Sequence, residues 1–295
     1  MTRILLTGAN GQVGAELRQT LAPLGEVVAI ARSTWDLSQP DSIRPLIQET
    51  RPDYIVNAAA YTAVDKAESE VELANLVNGT APRVLAEEAE KLGAGLIHIS
   101  TDYVFDGSQS RPYLDTDPTQ PLGAYGQSKL LGELAIQESC TRYLIIRTAW
   151  VYGVQGTGNF VKTMLRVGAQ RPELRVVTDQ VGAPTWSKDL AGAIAQLVPQ
   201  LSADTTGIYH YTNSGVCSWY DFAVAIFAEA EALGFPLAVQ QVVPITTEEY
   251  PTPARRPAFS VLSLKKISAL LGGHPPYWRD SLRNMLVELQ ATTTP

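Results

Sequence analysis

The 295-residue sequence is poor in the residues that build metal centres and disulfide frameworks. It has two cysteines and three histidines, and neither type recurs at the short spacings of a zinc site. Cys140 and Cys217 therefore indicate buried thiols in a reducing compartment, because disulfides belong to oxidising ones. The scattered His98, His210 and His274 fit none of the usual zinc motifs.

Long apolar runs and a surplus of positive charge are lacking as well. No run approaches the roughly 20 apolar residues that a membrane span needs, and the chain leads straight into a strand pattern rather than a signal peptide. The formal net charge of −7 argues against a nucleic-acid surface, because such surfaces are basic. We therefore expect a cytoplasmic protein with no membrane or nucleic-acid partner, in which local arginine or lysine residues meet any anionic ligand.

What the sequence does have is a glycine-rich turn near its start. Gly8, Gly11 and Gly14 lie between the apolar run Ile4–Thr7 and the amphipathic stretch Gln12–Leu24. Glycines mark turns generally, but the order of strand, tight turn and helix is the context in which such a motif binds a dinucleotide. There the glycines let the backbone approach the pyrophosphate, and the free N–H groups of the helix N-terminus face it.

A tyrosine and a lysine, Tyr125 and Lys129, form the second motif. Because residues four apart on a helix share one face, the phenol and the ammonium are presented side by side. A nearby cation favours the phenolate, so we expect Lys129 to pull the pKa of Tyr125 from about 10 toward neutral. A tyrosine so placed is a proton donor to a carbonyl oxygen. The pair alone is common by chance and gains weight from the glycine turn upstream.

Apolar runs that alternate with helical patterns predict the fold up to about residue 150. The runs are Ile4–Thr7, Val27–Ile30, Tyr54–Asn57, Leu96–Ser100 and Leu144–Arg147, and the helical patterns include Ser42–Thr50, Ala81–Leu92 and Tyr125–Glu138. Such runs suit strands that are buried on both faces, and their alternation with helices implies βαβ units. We predict an α/β fold with a Rossmann-type, doubly wound parallel sheet in residues 1–150. Ligands of such sheets bind beyond the carboxyl ends of the strands.

Loops become frequent after Trp150, and the sequence predicts a smaller, mostly helical, substrate-binding lobe over residues 151–295. Helices are predicted at Phe160–Ala169, Lys188–Val198, Tyr220–Leu233, Leu264–Leu271 and Asp280–Leu289. Ser218 is placed to cap the third of them. The boundary is approximate, and parts of this segment are expected to return to the Rossmann sheet.

Several further segments resemble one protein family. They are Val56–Glu68, Ile99–Gly107, Arg147–Gly153, Asp179–Thr185 and Tyr250–Pro257. In this order the chain is similar, from Met1 to about Leu289, to the dTDP-4-dehydrorhamnose reductases of the extended short-chain dehydrogenase/reductase superfamily. The resemblance implies an NAD(P)H-dependent oxidoreductase that reduces the 4-keto group of a dTDP-6-deoxy-L-hexose, the last step of dTDP-L-rhamnose synthesis.

The resemblance implies catalytic roles for three residues. Tyr125 would donate a proton to the substrate oxygen, Lys129 would bind the nicotinamide ribose, and Thr101 would hydrogen-bond the same oxygen. Thr101 could also be only a turn residue at a strand end. Related dehydratases carry an Asp-Glu pair directly after the catalytic threonine. Here Asp102 is followed by Tyr103, which argues against dehydration.

The expected cofactor is NADPH, with NADH used less well. NAD enzymes commonly place an acid after the second strand. Arg32 stands there in this chain and could pair with a 2′-phosphate, or it could be a solvated surface residue. The residues assigned to the cofactor are Gly8, Asn10, Gly11, Gln12, Val13, Gly14, Arg32, Asp36, Leu37, Ala58, Ala59, Ala60, Tyr61, Thr62, Ile99, Tyr125 and Lys129.

The dTDP-sugar substrate is expected to contact Thr101, Asp102, Tyr103, Trp150 and Arg256. Trp150 would pack on the sugar, although a tryptophan at a strand end is often part of the core. Arg256 lies in a proline-rich loop and would hold the diphosphate through its planar fork of donors.

Some members of the family are dimers that hold Mg²⁺ through glutamates. Glu16 and Glu288 match two of those positions, and Lys188 stands at the third, where a cation would oppose metal binding. A homodimer and bound Mg²⁺ therefore both stay open, and the three residues could form a salt bridge instead.

Two other functions also stay open. A related protein is a regulatory subunit of methionine adenosyltransferase, so the chain could be a cofactor-sensing binding partner, and an intact Thr101, Tyr125 and Lys129 do not decide this. The chain could also reduce another 4-keto-sugar nucleotide, since the sequence does not determine the stereochemistry at C4. Activity on a panel of sugar nucleotides with each cofactor distinguishes these functions.

Overall fold

The computed structural model describes residues 1–33 and 35–293 of the chain. Its strands, in chain order, are β1 (Arg3–Thr7), β2 (Glu26–Ile30), β3 (Tyr54–Asn57), β4 (Gly95–Thr101), β5 (Tyr143–Thr148), β6 (Val151–Tyr152), β7 (Glu173–Val177), β8 (Val181–Gly182), β9 (Thr185–Trp186), β10 (Gly207–His210), β11 (Cys217–Ser218) and β12 (Gln241–Ile245). Its α-helices are α1 (Gln12–Thr20), α2 (Ile43–Thr50), α3 (Val64–Ala67), α4 (Val71–Asn75), α5 (Ala81–Leu92), α6 (Ala124–Ser139), α7 (Phe160–Gly168), α8 (Ser187–Leu197), α9 (Trp219–Ala232), α10 (Lys265–Leu271) and α11 (Trp278–Thr293).

Six parallel strands form the main sheet, in the spatial order β2-β1-β3-β4-β5-β10. The central strands are buried and mostly apolar because helices cover both faces of the sheet. The strand order reverses direction around β1, so a crevice opens between the loops that follow β1 and β3. The predicted doubly wound sheet is confirmed.

Each face of the sheet has its own hydrophobic core, because successive side chains of a strand point to opposite faces. Ile4 and Leu6 of β1 pack with Leu190 and Ile194 of α8 on one face. Leu5, between them, packs on the other face with residues of α2, α5 and α6. Each such fully buried aliphatic side chain contributes about 1.5–3 kcal/mol to folding. The two cores hold the carboxyl ends of the strands in fixed positions.

The chain after residue 150 contributes to both parts of the molecule. β10 pairs with β5 in the main sheet, and α8 and α10 pack on that sheet. In contrast, α7, α9 and α11 surround a separate core that contains Phe222, Ile226 and Met285. We keep the division into residues 1–150 and 151–295 as a proposal, with 294 and 295 outside the described residues.

Helix α9 begins where the sequence predicts it. The Ser218 hydroxyl accepts a hydrogen bond from the backbone N–H of Asp221 at 3.0 Å, and the Asp221 carboxylate accepts one from the Ser218 N–H at 2.9 Å. This reciprocal capping box satisfies two N–H groups at the helix start, so the predicted cap is confirmed. Across the part of the chain that the structure describes, helices long and apolar enough to span a membrane are absent.

Candidate functional site

A cleft of about 680 Å³ lies beyond the carboxyl ends of the central strands. Its walls include Thr7 at the end of β1, Ala58 after β3, Thr101 at the end of β4 and Thr148 at the end of β5. This is the edge at which open parallel sheets bind their ligands. The cleft is therefore the candidate site.

The glycine turn forms one end of the cleft. Gly8 has a φ of +69°, and a Cβ on it would lie 2.6 Å from the backbone nitrogen of Ala59. A Cβ on Gly14 would lie 2.0 Å from the Gly8 carbonyl oxygen. Only glycine therefore allows β1, the turn and α1 to come this close together.

The start of α1 is chemically open to an anion. Gly11 is its N-cap, no side chain among the described residues caps the helix, and its first turn carries no acidic residue. The first N–H groups of a helix lack intrahelical partners and carry the positive end of its dipole. The turn and the helix together fit the pyrophosphate of a dinucleotide.

Nearly all residues assigned to the cofactor line this cleft. They are Gly8, Asn10, Gly11, Gln12, Val13, Arg32, Asp36, Leu37, Ala58, Ala59, Ala60, Tyr61, Thr62, Ile99, Tyr125 and Lys129. Gly14 differs, because the structure places it beneath the turn against Gly8 and outside the cleft wall. It serves helix–strand packing rather than ligand contact.

Arg32 stands at the mouth of the cleft. Its side chain is 79% exposed, and its Nε lies 3.7 Å from an Asp36 carboxylate oxygen. A hydrogen bond from the Ser38 backbone N–H lowers the pKa of Asp36 more than Arg32 does. The guanidinium thus has one acidic neighbour and is otherwise largely exposed to solvent at the cleft mouth. Sequence reasoning missed the neighbouring Trp35, which lines the same wall and donates from Nε1 to the Ser42 hydroxyl at 2.9 Å.

Thr101, Asp102 and Tyr125 meet at the opposite end of the cleft. Thr101 ends β4, and its hydroxyl donates to Asp102 Oδ1 at 3.0 Å and accepts from the Tyr103 N–H at 3.2 Å. The Thr101 side chain acts on the Tyr125 phenol and lowers its pKa, against the larger effect of burial. The rings of Tyr103 and Tyr125 pack edge to face, with centroids 5.4 Å apart. The structure therefore brings the predicted proton donor and its hydroxyl partner together.

The pKa of Tyr125 differs from the sequence-based expectation. Burial raises it to about 12, with Asp102 adding to the increase and the Thr101 hydrogen bond opposing it. The expected fall toward neutral is wrong, because desolvation outweighs any cation effect. A raised pKa keeps the phenol protonated at neutral pH, which is the form that a proton donor needs.

Lys129 shares a face of α6 with Tyr125 but points toward β4. Its Nζ donates to the Ile99 carbonyl oxygen at 2.7 Å and lies 3.2 Å from His98 Nε2. Burial lowers the pKa of Lys129 to about 8, and Glu133 opposes this shift. Lys129 is therefore held by β4 rather than by Tyr125. His98 is a neighbour that sequence reasoning missed, because its position in an apolar strand looks structural.

Asp102 is a buried carboxyl in the cleft wall. Burial raises its pKa to about 6, while the hydroxyls of Ser260 and Thr101 oppose the increase. Its Oδ2 atom has no hydrogen-bond partner among the described residues. Buried polar atoms are usually paired, so this oxygen is available to a hydroxyl of a bound ligand.

Trp150 follows β5 in a strained conformation and lines the cleft. Its φ is +47°, a left-handed value that is unusual for a bulky residue. The indole stacks on Trp219, with ring centroids 3.6 Å apart and planes 11° from parallel, and it packs against Gly182. Strain of this kind costs about 1–3 kcal/mol and concentrates at functional sites. The stack on Trp219 holds the Trp150 indole in the cleft wall. Trp219 was not anticipated from the sequence.

A segment of the C-terminal lobe also lies against the glycine turn. Residues Gly156, Thr157, Gly158 and Asn159 line the cleft. The Asn159 amide donates to Gln12 Oε1 at 2.8 Å. Sequence reasoning treated this glycine-rich segment as a loop only, although its composition suits close approach to a ligand.

The structure places Arg256 outside the cleft lining. Its guanidinium donates to Asp65 Oδ1 at 3.2 Å and Oδ2 at 3.1 Å, and to the Thr252 hydroxyl at 3.1 Å. Asp65 thus already balances the charge that was assigned to a substrate diphosphate. Burial and then Asp102 raise the pKa of Tyr103, and Arg256 opposes this increase.

Glu16, Lys188 and Glu288 lie together at α1, α8 and α11. Lys188 Nζ donates to Glu288 Oε2 at 2.6 Å. Burial and then Glu288 raise the pKa of Glu16, and Lys188 opposes the increase. Groups of three metal-ligating side chains are not found among residues 1–33 and 35–293. Two carboxylates and an ammonium do not suit Mg²⁺, which prefers oxygen ligands throughout.

The parallel sheet, the glycine turn and the Thr101–Tyr125–Lys129 arrangement define a class, the extended short-chain dehydrogenase/reductases. A family model described as the RmlD substrate binding domain matches residues 1–291. The chain belongs to this family, that of the dTDP-4-dehydrorhamnose reductases, so the resemblance inferred from the sequence is confirmed.

Three similar proteins illustrate the match. A dTDP-4-dehydrorhamnose reductase of Burkholderia thailandensis is 49% identical over 285 residues, covering 94% of this chain and 95% of the relative. The crystal structure of such a reductase from Clostridium acetobutylicum has a TM-score of 0.91 at 40% identity and covers 98% of this chain and 100% of its own. One from Bacillus anthracis, in complex with NADP, has a TM-score of 0.90 at 37% identity, with coverage of 98% and 100%.

Proposed function

We propose that this protein catalyses the NADPH-dependent reduction of dTDP-4-dehydro-L-rhamnose, also called dTDP-4-dehydro-6-deoxy-L-mannose, to dTDP-L-rhamnose. Family membership supports this, since relatives of this chain are named dTDP-4-dehydrorhamnose reductases. The NADP complex of the Bacillus anthracis reductase supports the cofactor. We propose NADH as a weaker alternative cofactor.

One observation carries the chemical proposal: a protonated phenol lies at the cleft wall with a hydroxyl partner. Burial keeps Tyr125 in its acid form, and the Thr101 side chain lies near enough to affect its pKa. Both groups lie beyond the end of β4, opposite the glycine turn. A cofactor bound on the turn and a sugar bound at Thr101 would therefore meet within one cleft.

The proposed reaction needs a hydride and a proton. The nicotinamide, when bound, supplies the hydride to the sugar carbonyl carbon. Tyr125 donates its phenolic proton to the carbonyl oxygen as that oxygen becomes an alkoxide. The Thr101 hydroxyl, which donates to Asp102 Oδ1 in this structure, would turn to donate a hydrogen bond to the same substrate atom. General acid catalysis of this sort is worth roughly 10²–10⁴-fold in rate. Breaking the carbon–oxygen double bond thus leaves a hydroxyl at C4.

Other residues hold the ligands. Lys129 donates to Ile99 and directs its remaining N–H hydrogen toward the nicotinamide ribose. Asp102 accepts from a sugar hydroxyl through its unpartnered oxygen, and Trp150 packs on the sugar ring. Arg32 meets the 2′-phosphate that distinguishes NADPH from NADH. These roles are proposals that rest on cleft position and chemistry.

The test is cofactor oxidation with the 4-keto sugar nucleotide generated enzymatically, with the product identified by NMR. We expect turnover with NADPH and a product with the rhamno configuration. Absence of turnover together with tight NADPH binding would instead support the cofactor-sensing binding partner. Turnover of only a different 4-keto-sugar nucleotide would support the reductase class with another substrate.

A substitution of Tyr125 tests the proton donor. Tyr125→Phe keeps the ring and removes the hydroxyl, so kcat should fall by at least ~10²-fold while KM changes little. Tyr209→Phe is the matched control, because its hydroxyl donates to the Thr205 carbonyl oxygen outside the cleft. A Tyr125→Phe variant with kcat within a few-fold of the unmodified protein contradicts the assignment.

A further inference from the structure

A line of four buried polar side chains runs beneath the cleft from β1 to α6. The Thr7 hydroxyl donates to Asn57 Oδ1 at 2.6 Å, and Asn57 Nδ2 lies 2.9 Å from His98 Nδ1. His98 Nε2 lies 3.2 Å from Lys129 Nζ. Each of the four residues is at most 1% exposed. The line thus connects the glycine-turn end of β1 with the lysine of the Tyr125–Lys129 motif.

The sheet itself aligns three of these residues. Thr7 pairs in register with Asn57, and Asn57 pairs with His98, so they occupy one level across β1, β3 and β4. Burying amide and imidazole groups costs free energy unless they are hydrogen-bonded, and apolar side chains would fill these positions at less cost. A continuous polar line through the sheet interior therefore points to a task beyond packing.

The direction of the hydrogen bonds along this line determines which protonation state of Lys129 it suits. The hydroxyl of Thr7 donates to the amide oxygen of Asn57, which turns the amide nitrogen toward the imidazole. An amide nitrogen can only donate, so Nδ1 accepts and the neutral ring carries its hydrogen on Nε2, facing Lys129. In this direction the lysine nitrogen accepts as a neutral amine. When it is an ammonium, the ring hydrogen must move to Nδ1 and the amide must turn over.

The charge of Lys129 is strongly coupled to the protonation of His98, because the two groups are close. An imidazolium and an ammonium at this separation repel, and burial and Lys129 both lower the pKa of His98 well below its ordinary value. The titratable groups that act on Lys129 are His98 of β4 and Glu133 of α6, and Arg147 of β5 pairs with Glu133 at 2.6 Å. Tyr125 lies one turn before Lys129 on α6. His98 is therefore the neutral neighbour whose hydrogen can change place when the lysine changes charge.

We propose that Asn57 and His98 are positioning residues for Lys129. The His98 ring, oriented by the Asn57 amide, fixes the lysine nitrogen at the Ile99 carbonyl and determines whether it holds two or three protons. Asn57 suits this task because an amide offers a donor on one side and an acceptor on the other. The use of this device in catalysis rests on the proposed function, in which Lys129 binds the nicotinamide ribose.

The experiment titrates Lys129 directly in the protein without cofactor. Lysine labelled with ¹⁵N gives a signal for each Nζ, and its loss in Lys129→Met assigns the buried one. Asn57→Asp supplies only acceptors, so it should lock the ring hydrogen on Nδ1 and raise the pKa of Lys129 by about one unit or more. His98→Leu removes the ring through which this effect would pass.

The double variant with Asn57→Asp and His98→Leu distinguishes an effect passed through the His98 ring from a direct electrostatic effect of the new carboxylate. If the proposal holds, Asn57→Asp shifts the lysine titration in the native background and has little effect in the His98→Leu background. An equal shift in both backgrounds would show a plain Coulomb effect of the new carboxylate and would overturn the proposal. An unchanged titration in Asn57→Asp would overturn it as well.

A charge-free variant covers the case in which Asn57→Asp does not fold. Thr7→Val removes the hydroxyl that holds the amide oxygen, so the amide can turn over and the Lys129 titration should move to higher pH by a smaller amount. Thr185→Val is the control, since its hydroxyl contacts Thr148 at 3.4 Å, away from the line. Identical titrations in the two valine variants contradict the proposal. A titration that shifts as expected in a protein that fails to reduce the sugar would leave the device standing and reject the proposed function.

Discussion

At the scale of single residues, burial acts in opposite directions on the two members of the helical motif. It raises the pKa of Tyr125 to about 12 and lowers that of Lys129 to about 8. Both shifts favour the uncharged form, because low dielectric surroundings disfavour charge of either sign. The phenol therefore remains a proton donor at neutral pH, because burial is the largest influence on its pKa.

The pH dependence of stability tests whether burial raises the pKa of Asp102. Its pKa is raised from 3.8 to about 6, so between those values the folded protein holds a proton that the unfolded chain has released. The free energy of unfolding must then fall as pH rises through this window. Asp102→Asn does not titrate, so its free energy of unfolding does not fall in this way. At pH 8 it should exceed that of the unmodified protein by at most about 3 kcal/mol, at ~1.4 kcal/mol per pKa unit.

Urea unfolding at pH 8 and near pH 4 checks this. The gain should shrink at the lower pH, where the carboxyl is protonated in the folded protein and partly protonated in the unfolded chain. Asp204→Asn, at an exposed position, serves as the control. A gain in Asp102→Asn that is the same at both pH values would show that something other than titration causes it.

Arg32 decides cofactor selectivity if its exposed guanidinium meets the 2′-phosphate. A hydrogen bond to a charged group is worth ~1.5–3 kcal/mol, so Arg32→Ala should raise KM for NADPH on the order of tenfold or more relative to KM for NADH. Arg171→Ala removes the same charge at an exposed position outside the cleft and should change neither constant. Equal increases in KM for NADPH and NADH would show that Arg32 does not contact the 2′-phosphate and is a surface residue.

At the scale of elements, the start of α1 depends on the absence of side chains. Gly8 and Gly14 let the helix start, the turn and the loop after β3 approach one another closely. The same contacts leave the first N–H groups of α1 open toward the cleft. The packing of Gly14 against Gly8 therefore sets the position of the helix start that faces the cleft.

Gly14→Ala should damage both properties. Its Cβ would lie 2.0 Å from the Gly8 carbonyl oxygen, and such overpacking typically costs ~1–3 kcal/mol. We expect a lower free energy of unfolding and weaker NADPH binding, measured by denaturation and by fluorescence titration. Gly192→Ala in α8 is the matched control, because a Cβ there meets nothing within 4 Å, and it should stabilise the helix by ~0.5–1 kcal/mol. Native-like NADPH affinity in Gly14→Ala would argue against the pyrophosphate site.

At the scale of the whole molecule, Lys188 links three helices through charge. It pairs with Glu288 of α11 and lies near the buried Glu16 of α1. An ammonium in this place supplies a positive charge that a divalent ion would otherwise supply. We therefore expect Mg²⁺ and chelators to leave the melting temperature unchanged.

Lys188→Glu converts this cluster into three carboxylates. In the presence of a chelator their repulsion should lower the melting temperature, and Mg²⁺ should restore part of the loss, because hard oxygen ligands are then available. Lys66→Glu makes the same charge change at an exposed position of α3 and should not respond to Mg²⁺. Stabilisation of the unmodified protein by Mg²⁺ would contradict this account.

Local pattern determined much of this protein. The alternation of apolar runs and helical segments predicts the parallel sheet, and the spacing of Gly8, Gly11 and Gly14 predicts the turn. The four-residue spacing of Tyr125 and Lys129 predicts one shared helix face. These features follow from strand and helix geometry, which repeats over a few residues. The sequence therefore predicts the cleft, and nearly all the residues it assigns to the cofactor line it, whereas other lining residues such as Trp35 and Asn159 were not predicted.

Tertiary structure alone decided which groups meet and how deeply they are buried. Arg256 pairs with Asp65, 191 residues away, and Lys129 meets His98 of β4 rather than the phenol. The pKa of Tyr125 rises because the site is desolvated, which no spacing along the chain encodes. Local sequence encodes backbone geometry, whereas the energy of a charge depends on all segments packed around it and on the water they exclude.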